Sequence, residues 1–397
     1  MTSADGSCLA RSELSPPPPR RSSLCHHAGP GCRSSIFCII PPHVFDSIAR
    51  KGSDEHRAWA LDTLHRDHSL RTARLQNTLI GVPSVRAANP LRFSAAPALG
   101  QVSRTIFDMK GSESDADLPG AIVREEGGNA TNDPAADEAY DGLGATYALY
   151  WDIYKRNSID DAGLPLHGIV HYSQNYDNAF WDGQEMIFGD GDGELFNRFT
   201  ISIDVIGHEL THGVTQHTAN LQYLGQSGAL NESMSDVLGS LVKQYKKGQS
   251  AAQADWLIGE GLLAEGVQGK ALRSMAEPGT AYDDDVLGKD NQPAHMDDYV
   301  ETTEDNGGVH TNSGIPNHAF YLFAMSLEGN AWDRAGAVWY SALRDPRLQS
   351  TAQFMQFASA TSRAANRLFA GTDVGEKLQD AWKQVGIDLS RATPDST

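Results

Sequence analysis

Cysteine is nearly absent from this chain of 397 residues. The four cysteines are confined to the first 38 positions, at Cys8, Cys25, Cys32 and Cys38. Disulfide-rich domains need many cysteines spread along the chain, and cysteine hydrolases need a thiol nucleophile in the catalytic domain. The sequence after Cys38 therefore excludes both a disulfide scaffold and a cysteine hydrolase.

Long apolar runs are also missing. Ile36–Ile40 has five residues and the longer Ala319–Met325 has seven, both far short of the roughly 18 residues that a membrane-spanning helix needs. The first ten residues do not combine the basic and apolar segments of a secretory signal. We therefore expect no membrane insertion, and we recognise no signal peptide.

Basic residues are scarce after residue 100. Residues 1–100 contain 12 Lys and Arg against 7 Asp and Glu, whereas the rest of the chain has 20 basic and 44 acidic residues, out of totals of 32 and 51. The net charges are thus +5 and −24. An acidic body repels phosphate backbones, which excludes nucleic-acid binding. We call residues 1–100 the leader and residues 101–397 the body. Their opposite net charges predict that the leader docks on the body.

The leader divides into three parts. Residues 1–35 are rich in proline, serine and glycine, which predicts a disordered lead-in. Pro41 and Pro42 predict the start of a short helix that Gly52 ends. Ser53 then caps a second helix. Its apolar face is predicted to carry Ala58, Leu61 and Leu64. Three prolines between residues 83 and 97 predict a linker and a domain boundary.

The body changes from strands to helices along its length. Short strands are predicted at Thr105–Met109 and Ile169–Tyr172. After residue 200, apolar residues recur at helical spacing. The predicted helices lie around residues 206–214, 230–245, 316–329, 335–343, 354–368 and 374–385.

The segment His208-Glu209-Leu210-Thr211-His212 carries the clearest chemical signal. Two histidines four residues apart lie on one face of a helix, so both imidazoles can bind one metal ion. Glu209 is rotated about 100° from His208 and can act on a water molecule without being a ligand. Apolar neighbours such as Val205 and Ile206 place this helix inside the protein, where unpaired imidazoles are costly.

A catalytic zinc ion needs a third protein ligand. In the other common pattern, x-x-Gly-x-x-His would follow His212 and supply a third histidine. Thr215 and Thr218 stand in place of that glycine and that histidine, so this class is excluded. Glu232, on the next predicted helix, is the candidate. Asp236 and Asn231 on the same helix are expected to accept hydrogen bonds from the two zinc histidines.

These residues belong to a larger set of motifs that resembles the thermolysin-type neutral metalloproteases, in particular the protealysin-like branch. The resemblance runs from about residue 104 to the end of the chain. It rests on 178–181 (NAFW), 208–212 (HELTH), 228–232 (GALNE), 272–275 (LRSM) and 305–314 (DNGGVHTNSG). The segment 38–43 (CIIPPH) is similar to the start of the short propeptide of that branch.

The resemblance implies a role for each of several residues. Glu209 would be the general base, and His310, oriented by Asp305, would stabilise the oxyanion together with Tyr223. The substrate backbone would be held by Arg273, Asn178 and Ala179. Three carboxylates match a calcium site of the family, namely Asp204, Asp255 and Glu260. Lys243 and Leu257 stand where two further acidic residues are expected, so we predict at most one calcium ion.

The implied fold is α+β, in two lobes with the zinc helix between them. The expected units are a lead-in (1–35), a propeptide and linker (36–100), a β-rich lobe that includes the zinc helix (101–218) and a helical lobe (219–397). The resemblance implies a monomeric, secreted zinc endopeptidase that is made as a proenzyme. Its partners would be protein or peptide substrates and its own propeptide in cis.

Two alternatives to an endopeptidase follow from the same residues. A zinc aminopeptidase would carry a Gly-x-Met-Glu-Asn motif upstream of His208, and the sequence has none. A non-catalytic zinc protein that binds peptides would have no use for Glu209. We expect Cys38 or His43 of the leader to reach the cleft, and direct contact of either with the metal is left open.

Overall fold

A computed structural model describes residues 37–66 and 98–391. The predicted lead-in and most of the predicted linker lie outside these residues. One six-stranded mixed sheet has the strand order β1-β5-β6-β4-β2-β3. Its strands are β1 (Phe37–Cys38), β2 (Arg104–Asp108), β3 (Ala121–Glu125), β4 (Leu166–Val170), β5 (Ala179–Trp181) and β6 (Met186–Phe188).

This sheet has two parallel pairings at its centre and antiparallel pairings on either side. Strand β4 is parallel to both β2 and β6, and the outer pairs β2–β3, β5–β6 and β1–β5 are antiparallel. The predicted strand at Ile169–Tyr172 begins earlier than expected, because β4 pairs with β2 from Leu166 onward. Strand β1 comes from the leader, and its Cys38 lies opposite Phe180 of β5.

The leader continues as two helices, α1 (Pro42–Lys51) and α2 (residues 54–66). Helix α1 begins and ends where the prolines and Gly52 predict, and the hydroxyl of Ser53 accepts a hydrogen bond from the backbone of His56 in α2. The predicted face of α2 is only partly right. Leu64 is half-buried and packs on the main core, but Ala58 and Leu61 are exposed, whereas Ala60 and Thr63 are buried.

Helices α3 (Pro134–Ala148) and α4 (Ile203–Gln216) contact the sheet, and α5 (Gly225–Lys247) connects them to a helical lobe. Helix α3 packs on α4, and α4 packs on α5. Gly248 ends α5 with left-handed backbone angles, close to the predicted end of this helix near residue 245. The later helices are α6 (Asp305–Asn312), α7 (Gly314–Leu327), α8 (Ala335–Leu343), α9 (Phe354–Leu368) and α10 (Val374–Gln384). Short strand pairs lie between α5 and α6, namely β7 (Leu257–Ile258) with β8 (Arg273–Ser274), and β9 (Asp283–Asp284) with β10 (Gly288–Lys289).

One large apolar core joins the inner face of the sheet to the helical lobe, and it includes Ile39, Ile40 and Phe45 of the leader. A smaller cluster on the sheet contains Cys38 and Phe180. In the parts of the chain that the structure describes, no helix has both the length and the apolar character to cross a bilayer.

Candidate active site

Helices α4 and α5 bring the three predicted zinc ligands together. Their backbones approach closely at Gly239 of α5, where a Cβ atom would lie 2.4 Å from the carbonyl oxygen of Asp204. A side chain at this position would therefore separate the helices. The close approach places Glu232 of α5 opposite His208 and His212 of α4.

The three side chains form a compact and buried donor set. The Nε2 atoms of His208 and His212 are 3.1 Å apart, and each lies 3.5 Å from one oxygen of Glu232. All three ligand atoms lie within 4.8 Å of one another. Among the described residues, no other group of His, Cys, Asp and Glu side chains meets this condition, and neither Cys38 nor His43 belongs to this one.

The outer nitrogen of each histidine is fixed by a neighbour on α5. His208 Nδ1 lies 2.8 Å from Asp236 Oδ1, and His212 Nδ1 lies 2.8 Å from Asn231 Oδ1. These are the two neighbours that the spacing on α5 predicts. The hydroxyl of Ser235, which the sequence reasoning missed, lies 3.1 Å from His212 Nδ1. A hydrogen bond at Nδ1 leaves Nε2 as the coordinating atom.

The electrostatics of the cluster suit a cation. Burial lowers the pKa of His212 to about 3, so its imidazole is neutral. Burial also opposes charge on His208, but Asp236 and Glu232 raise its pKa to about 9. Burial opposes ionisation of Glu232 as well, yet the charge of His310 and the contact with His208 hold its pKa well below the ordinary value.

Two carboxylate oxygens at the site have no hydrogen-bond donor among the described residues. They are Oε2 of Glu232 and Oε1 of Glu209, and both residues are buried. The other Glu209 oxygen accepts a hydrogen bond of 3.2 Å from the backbone of Trp181. A buried unpaired carboxylate oxygen is costly. A metal ion with its water would remove both costs, so the residues fit a zinc ion.

A left-handed turn at the start of α6 positions His310. Asp305, Asn306, Gly307 and Gly308 all have φ between 49° and 86°, which glycine, asparagine and aspartate tolerate best. The turn allows both oxygens of Asp305 to accept from His310, at 2.9 Å from the backbone nitrogen and 2.7 Å from Nδ1. His310 Nε2 then lies 3.2 Å from the hydroxyl of Tyr223, which also donates to Glu232.

Arg273 is joined to the metal cluster through Asp236. Its Nε and Nη2 atoms donate to the two oxygens of Asp236 at 2.9 and 2.8 Å. Burial opposes ionisation of Asp236, but the charge of Arg273 and the contact with His208 lower its pKa to about 2. Asn317 of α7, which the sequence reasoning did not identify, donates to the same carboxylate at 2.8 Å.

The leader crosses the cleft as an extended segment. His310 Nε2 lies 3.1 Å from the carbonyl oxygen of Cys38, and Arg273 donates to the carbonyl of Ile39 at 3.0 Å. The backbone nitrogens of Ile39 and Ile40 donate to the carbonyl of Ala179 (3.4 Å) and to the side chain of Asn178 (3.3 Å). Every predicted substrate-binding residue thus contacts this segment.

The three predicted calcium residues lie apart from this site. Asp204 and Asp255 contact the ammonium of Lys243, at 2.8 and 2.7 Å, and Glu260 lies 3.6 Å from Lys247. Lysine nitrogens occupy the space that a cation would need. The residues as placed therefore do not fit a calcium ion.

Comparisons with known proteins agree with this geometry. Residues 95–216 match the family described as thermolysin metallopeptidase, catalytic domain, and residues 219–387 match thermolysin metallopeptidase, alpha-helical domain. The chain is 51% identical over 354 residues to an extracellular metalloprotease of Pectobacterium carotovorum subsp. carotovorum, covering 89% of this chain and 97% of that protein. It is 45% identical over 359 residues to protease PrtS of Photorhabdus sp. (strain Az29), covering 90% and 94%.

A solved structure is also similar. It is the precursor of protealysin, a metalloproteinase from Serratia proteamaculans, with a TM-score of 0.79 and 52% sequence identity, and the match covers 88% of this chain and 99% of that one. The two matched family regions correspond to a sheet-containing part and a helical part, which confirms the predicted α+β fold. This chain belongs to the thermolysin metallopeptidase family and is a metalloendopeptidase.

Proposed function

We propose that this protein is a zinc-dependent endopeptidase, made as a proenzyme, whose leader occupies the substrate cleft until it is removed. One observation carries the proposal. The backbone of residues 38–40 is held by His310, Arg273, Asn178 and Ala179. Its Cys38 carbonyl contacts His310 Nε2, which lies 3.5 Å from the predicted metal ligand Glu232. A peptide substrate bound in this way presents one carbonyl carbon to the metal cluster.

His208, His212 and Glu232 would hold the zinc ion. When bound, zinc lowers the pKa of a water molecule and polarises the carbonyl under attack. Asp236 accepts the Nδ1 proton of His208, so the proton that His208 releases on zinc binding is the one on Nε2. Asn231 fixes His212 in the same way, with Nε2 toward the metal.

Glu209 would be the general base and then the general acid. Burial raises its pKa well above the ordinary value of a glutamate. A carboxylate with a raised pKa accepts a proton more readily from the attacking water and retains it long enough to pass it to the leaving amine. The hydrogen bond from Trp181 fixes one of its oxygens, which leaves Oε1 for the proton.

His310 and Tyr223 would stabilise the charge that develops on the carbonyl oxygen. Burial opposes protonation of His310, but Asp305 and then Glu232 raise its pKa above the ordinary value. A protonated imidazole donates a stronger, charge-assisted hydrogen bond. The carbonyl oxygen of Cys38, 3.1 Å from Nε2, stands in for the substrate oxygen, and preorganised donors at this position lower the barrier.

Arg273, Asn178 and Ala179 would hold the substrate on the carboxyl side of the cleaved bond. In the leader, these groups hold Ile39 and Ile40. The side chain of Ile39 is fully buried. By analogy, substrates would place an apolar side chain directly after the cleaved bond.

The leader would be the propeptide, with its boundary inside the segment 83–104. Most of its buried contacts are apolar, from Ile39, Ile40 and Phe45. We propose 36–100 as propeptide and linker, followed by lobes at 101–218 and 219–397. Because its relatives include proteins named extracellular metalloproteases, we also propose that the enzyme acts outside the cell, as a monomer.

The test compares Glu209→Ala with His208→Ala. Trypsin removes the leader from each purified chain, at arginines between residues 71 and 92, and is then inhibited. We expect Glu209→Ala to retain one zinc ion per chain and to lose casein hydrolysis by roughly a thousandfold or more. His208→Ala should lose the zinc ion itself.

Glu265→Ala is the matched control, since Glu265 is exposed and lies outside the site. It should retain both zinc and activity. Near-normal hydrolysis by Glu209→Ala would support a different base. Zinc binding without hydrolysis in the wild type would support the alternative of a non-catalytic zinc protein that binds peptides.

A further inference from the structure

Lys243 is a buried charge outside the catalytic site. It lies on α5, eleven residues after Glu232, and its side chain is 4% exposed. Moving an ammonium out of water is costly unless its charge and its three N–H groups are all satisfied. The surroundings of its Nζ atom should therefore show what the lysine does.

Three oxygens from three parts of the chain surround this ammonium. Nζ lies 2.8 Å from Asp204 Oδ2 at the start of α4. It donates at 2.7 Å to Asp255 Oδ1 and at 2.7 Å to the carbonyl oxygen of Leu257 in β7. One N–H is thus available for each oxygen. Burial alone would lower the pKa of Lys243, but the charge of Asp204 and the contact with Asp255 raise it.

We call the oxygens of Asp204, Asp255 and Leu257 around this ammonium the cradle. It has the chemistry of a site for a hard cation. Carboxylate and backbone carbonyl oxygens are the ligands that calcium prefers. Here the positive charge comes from the protein itself. A divalent ion could enter only by displacing the ammonium, which the surrounding charges hold in place. Lys247, one helical turn later, lies beside Glu260, so a second lysine balances the remaining acidic residue of the predicted calcium set.

The cradle links the elements that carry the active site. Asp204 precedes the zinc ligand His208 by one turn of α4, and Lys243 lies on the helix that carries Glu232. Leu257 belongs to β7, which pairs with the strand that contains Arg273. A cation at this point therefore stabilises the packing of α4 and α5 against the strand pair that contains Arg273.

We propose that the ammonium of Lys243 is the built-in structural cation of this enzyme, in place of calcium, and that its folded state needs no calcium there. The inference does not depend on the catalytic roles proposed above. Its consequence is an enzyme that keeps its stability where free calcium is scarce. It also implies that one substitution should convert the cradle into a calcium site.

The experiment measures the melting temperature, Tm, with and without millimolar calcium. The full-length, zinc-loaded chain is used in a Glu209→Ala background, which prevents self-digestion. The parent protein should show a Tm that calcium does not change. Lys243→Gln should lower Tm by roughly 5–10 °C, because two carboxylates lose their charged partner.

Lys243→Glu adds a third carboxylate to the cradle. Its Tm should fall further in calcium-free buffer and rise by at least about 5 °C with calcium, but not with magnesium. Lys247→Met is the matched control, since Lys247 is a half-exposed lysine on the same helix face. It should change Tm little and should give no calcium response.

Three results would overturn the proposal. They are a parent protein that calcium stabilises, an unchanged Tm for Lys243→Gln, and a folded Lys243→Glu chain that does not respond to calcium. If Lys243→Glu fails to fold, the parent protein and Lys243→Gln still decide the question.

Discussion

The buried side chain of Ile39 should set how tightly the leader closes the cleft. Its backbone is held at both ends of the residue, by the carbonyl of Ala179 and by Arg273, and its side chain is fully buried in the main core. Ile39→Ala keeps these backbone hydrogen bonds and removes only apolar contacts. The perturbation therefore acts on docking, and the catalytic residues are unchanged.

The magnitude follows from the burial. Replacing a fully buried isoleucine by alanine costs about 2–5 kcal/mol, and replacing it by valine costs about 0.5–1.5 kcal/mol. Since each 1.4 kcal/mol is a factor of ten, the population of the open leader should rise roughly 30- to 4,000-fold for alanine. For valine the rise should be roughly 2- to 12-fold. Hydrolysis that requires an open cleft should therefore be fastest for Ile39→Ala, slower for Ile39→Val and slowest for the wild type.

The assay follows two quantities in freshly purified full-length chains. Hydrolysis of a quenched fluorescent peptide reports the open cleft, and mass spectrometry reports the rate at which the leader is removed. Leu61→Ala is the matched control, because Leu61 is an aliphatic residue of the leader that is 42% exposed. The reasoning would be refuted if full-length wild type and Ile39→Ala hydrolysed the peptide at the same rate. It would also be refuted if Leu61→Ala increased hydrolysis as much as Ile39→Ala does.

Two further predictions concern the metal site and the pH dependence of stability. Asn231→Ala should weaken zinc binding roughly 10- to 100-fold, since it removes the oxygen that fixes the His212 tautomer. Titration in zinc buffers measures the affinity, and an affinity equal to that of the wild type would contradict the prediction. Hydrogen bonds first to Asp190 and then to Asp133 raise the pKa of His171 to about 9, from 6.5, against partial burial. Its stabilisation is thus fully present below about pH 6.5 and is lost as the pH rises through about 9. His171→Gln should lower Tm at pH 6 and have little effect near pH 10, and a pH-independent difference would contradict the assignment.

Much of the fold was predictable because strong local signals agree with the tertiary structure. Proline and glycine set both ends of α1, and Gly248 ends α5. The rotation of α2 was not predictable. Its few apolar residues do not define a face, and contacts with the body, such as the 2.8 Å pair of His56 with Glu194, determine which side is buried.

The sequence also did not predict which forces dock the leader on the body. The predicted attraction rested on a net charge of +5 for residues 1–100. Residues 37–66 contain four basic and four acidic residues, so the described part of the leader is neutral and the excess charge lies elsewhere. Two ion pairs join it to the body, His56–Glu194 and Arg66–Glu113 at 3.7 Å, and each has an exposed member. Apolar burial and backbone hydrogen bonds therefore dominate this docking.

The candidate site was predictable where its residues lie close together in sequence. The four-residue spacing on α4 and the run Asn231–Asp236 on α5 show by helical geometry which side chains share a face. The close packing of the two helices at Gly239 then brings these faces together. Asn317 was not predictable, because it lies 81 residues from the carboxylate that it contacts. No local pattern distinguishes such an asparagine from others in the chain.

Asp236 shows why these distant contacts matter for the reaction. Its Oδ1 atom accepts from both His208 and Arg273, and its Oδ2 atom accepts from Arg273 and Asn317. The metal ligand and the group that holds the substrate backbone therefore share one buried carboxylate. Burial opposes its ionisation, but the charge of Arg273 and the contact with His208 lower its pKa to about 2, so this carboxylate is charged at neutral pH. A carbonyl that reaches Arg273, as that of Ile39 does, is thereby positioned relative to the metal cluster by one rigid unit. Positioning of this kind lowers the barrier without a further residue at the reacting bond.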